Sequence, residues 1–226
     1  RRALACGVGS GYEKEAAFNR RFRMTNGQTH THPRQGNPNI IRPAGPTDPE
    51  VGVIGTFDEN SNLVGCIVNY ACHATTSPGG ISANWIYYLE KTIRGVFGDD
   101  VVVIFLAGAN GDITQVNNLS PYANPKPEEW ARLVGARVGA ETVKVLVSMH
   151  TGAMGPVNSA IELLKISRRA PSLEHLNKSI ELVKRGPENV NQTEWIFAKE
   201  IVMLNALITK TPEVDTEVQA IQIGPV

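Results

Sequence analysis

The sequence has no long hydrophobic run, no excess of charge of either sign and few cysteines. Its 226 residues include 22 basic and 22 acidic side chains, and the resulting net charge of zero argues against a nucleic-acid-binding protein. No apolar stretch approaches the roughly 20 residues that a membrane-spanning helix needs. We therefore expect no nucleic-acid partner and no transmembrane segment.

The three cysteines are an odd number and form no C-x-x-C pair, so they predict neither a disulfide framework nor a zinc knuckle. Cys66 and Cys72 fall in an apolar run, which predicts small side chains in the core. A glycine-rich segment at residues 7–11 does not match the G-x-G-x-x-G fingerprint, which argues against a dinucleotide site.

The composition, 42% hydrophobic and 19% charged, is typical of a globular protein. We predict one α/β domain of catalytic type over residues 1–226. The chain starts without Met, and its last residues have the pattern of a strand, so we expect it to be truncated at both ends.

Hydrophobic patterning predicts a mixed α/β fold with elements in the order ββαβαβααβ. The predicted strands are 51–57, 63–72, 101–106, 157–166 and 218–224, and the predicted helices are 84–97, 127–150, 172–184 and 192–208. The continuous β-branched run at 101–106 predicts a strand buried on both faces. Residues 24–49, rich in Pro, Gly, Asn and Thr, predict a long irregular loop.

The strand–helix–strand segment from 63 to 106 predicts a right-handed crossover between parallel strands, in a mixed sheet flanked by helices. Parallel strands bring their carboxyl ends to one edge of the sheet, where α/β proteins usually bind ligands. His73 follows the first of these strands, and Asn110, Asp112 and Thr114 follow the second. We therefore predict that His73 and Asp112 open on the same side of the sheet.

Four segments resemble motifs of one enzyme family. They are Phe18-Asn19-Arg20, Asn69-Tyr70-Ala71-Cys72-His73-Ala74-Thr75, Ile81-Ser82-Ala83-Asn84-Trp85 and the segment from Phe105 to Thr114. In this order and spacing they are similar to the neutral/alkaline non-lysosomal ceramidases of bacterial type. The resemblance implies a zinc-dependent amidase that cleaves the N-acyl bond of an acylated sphingoid base, and hence a small lipid-like substrate.

The resemblance also implies roles for individual residues. His73 would be a zinc ligand, Thr114 would stand in the place of the family's catalytic serine, and Asp112 would fix the turn and assist proton transfer. Arg20 and Asn110 would bind substrate. Taken without the family, the same residues have simpler interpretations: a hydrogen-bonded structural histidine, an ordinary Asn-Gly-Asp turn and an arginine on a solvated face.

The sequence departs from the family in its other zinc ligands. The family takes a histidine from an early Thr-His-Thr-His-Ser-Gly segment, and a glutamate and a tyrosine from late segments that include a Pro-Gly-Glu element absent here. His30 and His32 resemble the early segment but follow Asn19 and Arg20, so we favour a structural role for them. We expect the missing zinc ligands to lie outside residues 1–226. We therefore expect this chain on its own to be inactive or to bind zinc weakly.

Two alternatives to a ceramidase-like enzyme stay open at this point. One is a non-catalytic or truncated module derived from the family and kept for binding or assembly. The other is a related hydrolase that acts on a different N-acyl or ester substrate.

Overall fold

The computed structural model describes residues 5–153 and 155–224, and the chain divides into two compact units, Arg1–Met154 and Gly155–Val226. The first unit carries every predicted site residue. The expectation of a single catalytic-type domain over residues 1–226 stays a prediction.

The first unit is a mixed sheet with two helices and several short strands. Its strands are β1 (Ala5–Tyr12), β2 (Phe18–Asn19), β3 (Arg21–Met24), β4 (Thr29–Thr31), β5 (Ile40–Pro43), β6 (Glu50–Phe57), β7 (Leu63–Tyr70), β8 (Val102–Ala107) and β9 (Ile113–Thr114), and its helices are α1 (Trp85–Phe97) and α2 (Pro127–Val147). The main sheet has the order β1-β6-β7-β8, in which β6 pairs antiparallel with both β1 and β7.

The parallel pairing predicted for the crossover is confirmed. Strand β7 pairs in parallel with β8, from Gly65 opposite Val102 to Tyr70 opposite Ala107, and α1 connects the two strands. The mixed α/β fold class is therefore confirmed as well. Cys66 and Cys72, with 3% and 1% of their surface exposed, lie in the core as predicted.

Two of the structural expectations are wrong. Within the described residues, β8 is an edge strand, and Val102, Ile104 and Leu106 are 58%, 48% and 50% exposed instead of buried on both faces. The irregular loop predicted at 24–49 contains β4 and β5, which flank β3 in a small three-stranded sheet. Because proline and glycine at the turns of this sheet are typical of loops, the sequence pattern did not indicate its short strands.

The glycine-rich segment near the amino end belongs to β1, a strand that the pattern did not predict. A Cβ atom at Gly7, Gly9 or Gly11 would collide with side chains at the carboxyl end of α2 and the residues just after it. The glycines therefore allow α2 to pack closely on the sheet, and the Tyr12 amide donates to Glu141 Oε1 at 2.9 Å. Close packing explains these glycines without a nucleotide.

The second unit contains a two-stranded antiparallel sheet and two helices. The sequence predicted these four elements within a few residues of their bounds, but it did not predict that the two strands pair with each other. The strands are β10 (Val157–Ser167) and β11 (Glu213–Ile223), and the helices are α3 (Leu173–Lys184) and α4 (Gln192–Lys210). The Trp195 indole donates to the Val183 carbonyl oxygen at 3.4 Å and joins α4 to α3.

Across residues 5–153 and 155–224, none of the helices combines the length and the apolar character that crossing a bilayer requires.

Candidate functional site

The segments that follow β7 and β8 lie against each other. After β8 the chain turns tightly, with the Ile113 amide donating to the Asn110 carbonyl oxygen at 3.0 Å. The His73 amide, just beyond β7, donates to the Ile113 carbonyl oxygen at 3.2 Å. The parallel strands therefore bring His73 and the Asn110–Thr114 turn to the same edge of the sheet.

The outer side of this turn is held by the strand β2 and by Arg20. Strand β2 pairs antiparallel with β9, and Asn19 Nδ2 donates to Asp112 Oδ2 at 3.0 Å. The Arg20 amide donates to the Asp112 carbonyl oxygen at 2.8 Å, and Arg20 Nη2 donates to the Gly111 carbonyl oxygen at 2.7 Å. Arg20 and Asp112, singled out separately in the sequence, thus meet in one hydrogen-bonded arrangement that fixes the turn.

His73 has a ring nitrogen that the protein leaves unpaired. Its Nδ1 atom is buried and has no hydrogen-bond partner. Leaving a buried polar nitrogen unpaired costs about 1–3 kcal/mol unless a ligand takes it up. A neutral imidazole nitrogen is a common zinc ligand, so His73 fits the role of one ligand to a metal ion.

The Thr114 hydroxyl belongs to a buried polar cluster that bridges the two segments. Thr114 is 2% exposed, and its Oγ1 donates to Gln115 Oε1 at 3.4 Å. The Gln115 amide Nε2 donates in turn to Thr75 Oγ1 at 3.1 Å. Gln115, 3% exposed, therefore ties the hydroxyl of the turn to the segment that carries His73.

His30 and His32 take part in other contacts. His30 Nε2 lies 3.0 Å from Gln28 Oε1 on the exposed face of the small sheet. His32 Nδ1 lies 3.3 Å from Asn118 Oδ1, and its amide donates to the Arg20 carbonyl oxygen at 2.8 Å. Nowhere in the described part of the chain do three His, Cys, Asp or Glu side chains come together as a group able to hold a metal ion.

Burial also sets the chemistry of the neighbouring thiol. It raises the pKa of Cys72 to about 12, so this side chain stays a neutral thiol near pH 7. A thiolate is the form that attacks carbonyl groups and binds metals. Cys72 is therefore a packing residue next to His73.

Comparison with known proteins gives matches among solved structures alone. No family model matches the chain, and neither does any curated protein. The neutral ceramidase from Pseudomonas aeruginosa is similar over 97% of this chain, with a TM-score of 0.62 and 17% identity. A ceramidase complexed with C2 is similar over 71% of the chain, with a TM-score of 0.54 and 21% identity. The chain has a neutral ceramidase-like fold.

This chain corresponds to only part of each of these two proteins. This chain spans 38% of the Pseudomonas aeruginosa enzyme and 25% of the ceramidase complexed with C2. The resemblance to neutral ceramidases predicted from the sequence is confirmed at the level of the fold. The roles assigned to His73, Thr114, Asp112, Arg20 and Asn110 stay predictions.

Sequence reasoning missed the residues that hold the site together. Gln115 carried no recognisable signal, because a glutamine beside a threonine is as typical of a loop as of a buried bridge. Trp85 belongs to one of the family-like motifs at the start of a predicted helix, but neither feature predicts that its indole donates to the His73 carbonyl oxygen at 3.0 Å. Its position within a motif next to the histidine segment was the one available clue.

Proposed function

We propose that this chain is the site-bearing part of a ceramidase-like, zinc-dependent amide hydrolase that acts on an N-acyl, lipid-like substrate. The observation that carries the proposal is the buried, unpaired Nδ1 of His73, on a segment joined to the Asn110–Thr114 turn at the carboxyl ends of parallel strands. The ceramidase-like fold supports this assignment.

Zinc, when bound, would supply Lewis-acid activation of the amide carbonyl or of a water molecule. His73 fits as one ligand, whereas the described residues do not assemble the three protein ligands that a catalytic zinc usually has. We propose that the other ligands come from residues beyond those described. The remaining roles concern the chain's own side chains.

The Thr114 hydroxyl is the proposed nucleophile. Its hydrogen bond to Gln115 Oε1 orients the hydroxyl in the resting site. A neutral amide oxygen accepts a hydrogen bond but does not remove a proton at neutral pH, so attack requires a separate base. The Asp112 carboxylate is the proposed participant in this proton transfer, and its bond from Asn19 holds it in the turn.

Arg20 and Asn110 are the proposed substrate-binding residues. A guanidinium group carries five N–H donors in a planar fork, and Arg20 gives one from Nη2 to the turn. The other donors suit a carbonyl or hydroxyl oxygen of an N-acyl substrate. The Asn110 side chain, on a half-buried residue of the same turn, adds an amide donor and an acceptor that match an amide bond.

The direct test combines metal analysis with hydrolysis. In a protein that also supplies the remaining zinc ligands, we expect about one bound zinc ion per molecule, and we expect His73→Ala to lose it. The control His175→Ala, which alters a histidine on α3 in the second unit, should retain the zinc. We expect chelator-sensitive release of fatty acid from N-acylsphingosine, abolished in Thr114→Ala and retained at least in part in Thr114→Ser. Zinc binding that is unaffected by His73→Ala would contradict the assignment.

A second candidate function is favoured by the incomplete ligand group. A non-catalytic module of this fold would need no metal, and the described residues alone do not provide a metal site. A folded protein that takes up no zinc and hydrolyses no amide would support this alternative. A panel of acyl amides and esters would separately distinguish a ceramidase from a related hydrolase with another substrate.

A further inference from the structure

Trp85 joins the three elements of the crossover unit at the point where His73 begins the site. It is the first residue of α1 and has none of its surface exposed. Its ring packs edge-on against Tyr70, the last residue of β7, and Phe105 in β8, with centroid distances of 6.4 and 4.9 Å. The ring position is therefore fixed by both parallel strands.

The His73 main chain is held from both sides. Its amide donates to the Ile113 carbonyl oxygen at 3.2 Å, and its own carbonyl oxygen accepts the Trp85 indole N–H at 3.0 Å. These two bonds fix the peptide planes that flank the histidine and therefore the direction of its side chain. The imidazole Nδ1 is left buried without a partner in this orientation.

The residue before Trp85 strengthens the arrangement. Asn84 adopts φ 58° and ψ −144°, a region that asparagine occupies only at a cost, and it is 9% exposed. Its Oδ1 accepts hydrogen bonds from the Trp85 amide at 2.9 Å and the Thr76 hydroxyl at 2.7 Å. The strained asparagine thus closes the loop from His73 to α1 and gives the indole a single position.

We propose that Trp85 is a positioning residue for His73: its indole N–H holds the histidine main chain so that Nδ1 stays free for a metal ion. The positioning role of Trp85 is argued from hydrogen bonds alone. Only the statement that Nδ1 of His73 binds a metal ion rests on the proposed function.

The test removes the indole donor and follows His73 in the protein without metal. Trp85→Phe removes the donor but also ring volume. A chain in which Trp85 alone is replaced by 3-benzothienylalanine keeps the ring shape and removes only the N–H group. The matched control is Trp195→Phe in the second unit. Like the Trp85 bond, the hydrogen bond that it removes joins an indole N–H to a carbonyl oxygen 12 residues away in the sequence.

Two measurements separate the parts of the proposal. Relaxation of the His73 ring signals by NMR reports its mobility, with the signals assigned through their loss in His73→Ala. Competition titration reports zinc affinity. We expect both Trp85 variants to increase the mobility of the His73 ring and to weaken zinc binding by about 10-fold or more. Trp195→Phe is expected to change neither quantity.

Each other outcome has a definite meaning. Unchanged His73 relaxation in the benzothienylalanine chain would overturn the positioning role. Increased mobility with unchanged zinc affinity would overturn the link to the metal. In a longer protein that also supplies the remaining ligands, increased mobility without zinc uptake even with Trp85 intact would leave the positioning role standing, and it would refute both the link to the metal and the zinc dependence of the proposed function.

Discussion

The contact between α1 and α2 depends on Gly135, and this dependence can be measured. A methyl group at Gly135 would lie 2.6 Å from Tyr88 Cβ and closer still to the Trp85 carbonyl oxygen, whereas ordinary contact begins at 3.4 Å. The obstacle is helix backbone, which no change of rotamer removes. Overpacking of this kind costs up to about 3 kcal/mol, and alanine returns about 1 kcal/mol of helix propensity. We expect Gly135→Ala to reduce the free energy of unfolding by about 2 kcal/mol.

The assay is urea unfolding followed by tryptophan fluorescence in a Trp195→Phe background. The remaining tryptophans, Trp85 and Trp130, both belong to the first unit. A loss of about 2 kcal/mol lowers the urea midpoint by about 1 M. The control is Gly95→Ala in α1, where a methyl group meets nothing within 4 Å, so the midpoint should stay or rise. A Gly135→Ala chain as stable as the unaltered one would refute this account of the helix contact.

Two further predictions concern buried polar groups of the first unit. Burial raises the pKa of both Cys66 and Cys72 to about 12, so neither should react with Ellman's reagent in the native protein at pH 8, whereas both should react in urea. Fast native labelling of either would contradict their burial. Gln115→Leu leaves the hydroxyls of Thr75 and Thr114 without this partner and should lower the free energy of unfolding by about 1–3 kcal/mol. Gln35, whose side-chain hydrogen bond to Asn124 Oδ1 is exposed to solvent, provides the control substitution Gln35→Leu, with no comparable loss of stability expected.

The crossover unit could be predicted because its signals are local. Residues 101–106 form a β-branched run, and the apolar residues of 85–96 recur at helical spacing before Gly98 ends the helix. Patterning therefore predicts the elements, and the strand–helix–strand order predicts the parallel pairing. The same local signals gave a wrong prediction for the burial of β8. A β-branched run indicates a strand but does not report what covers each face, and Val102 and Ile104 are exposed in the described residues.

The strand β1 was missed for the opposite reason. Its glycines carry no strand propensity, and they make room for side chains near the end of α2, 130 or more residues later in the sequence. Close approach between distant segments has no signature in either segment alone. The short strands β4 and β5 were likewise hidden among prolines and turn residues, because pairing with β3 stabilises them more than their own composition does.

The candidate site shows the same division between local and distant information. Motif and spacing could place Asp112 and Thr114, the residues with proposed chemical roles, in its turn. Its shape comes from elsewhere: Asn19 reaches Asp112 across 93 positions of sequence, and Gln115 reaches Thr75 across 40. The turn has contacts with the segment after β7 on one side and with β2 on the other, so it can keep this shape only while the first unit is folded. A change in β2 should therefore alter the site even where it changes none of the predicted site residues, because the Asn19 side chain holds the Asp112 carboxylate.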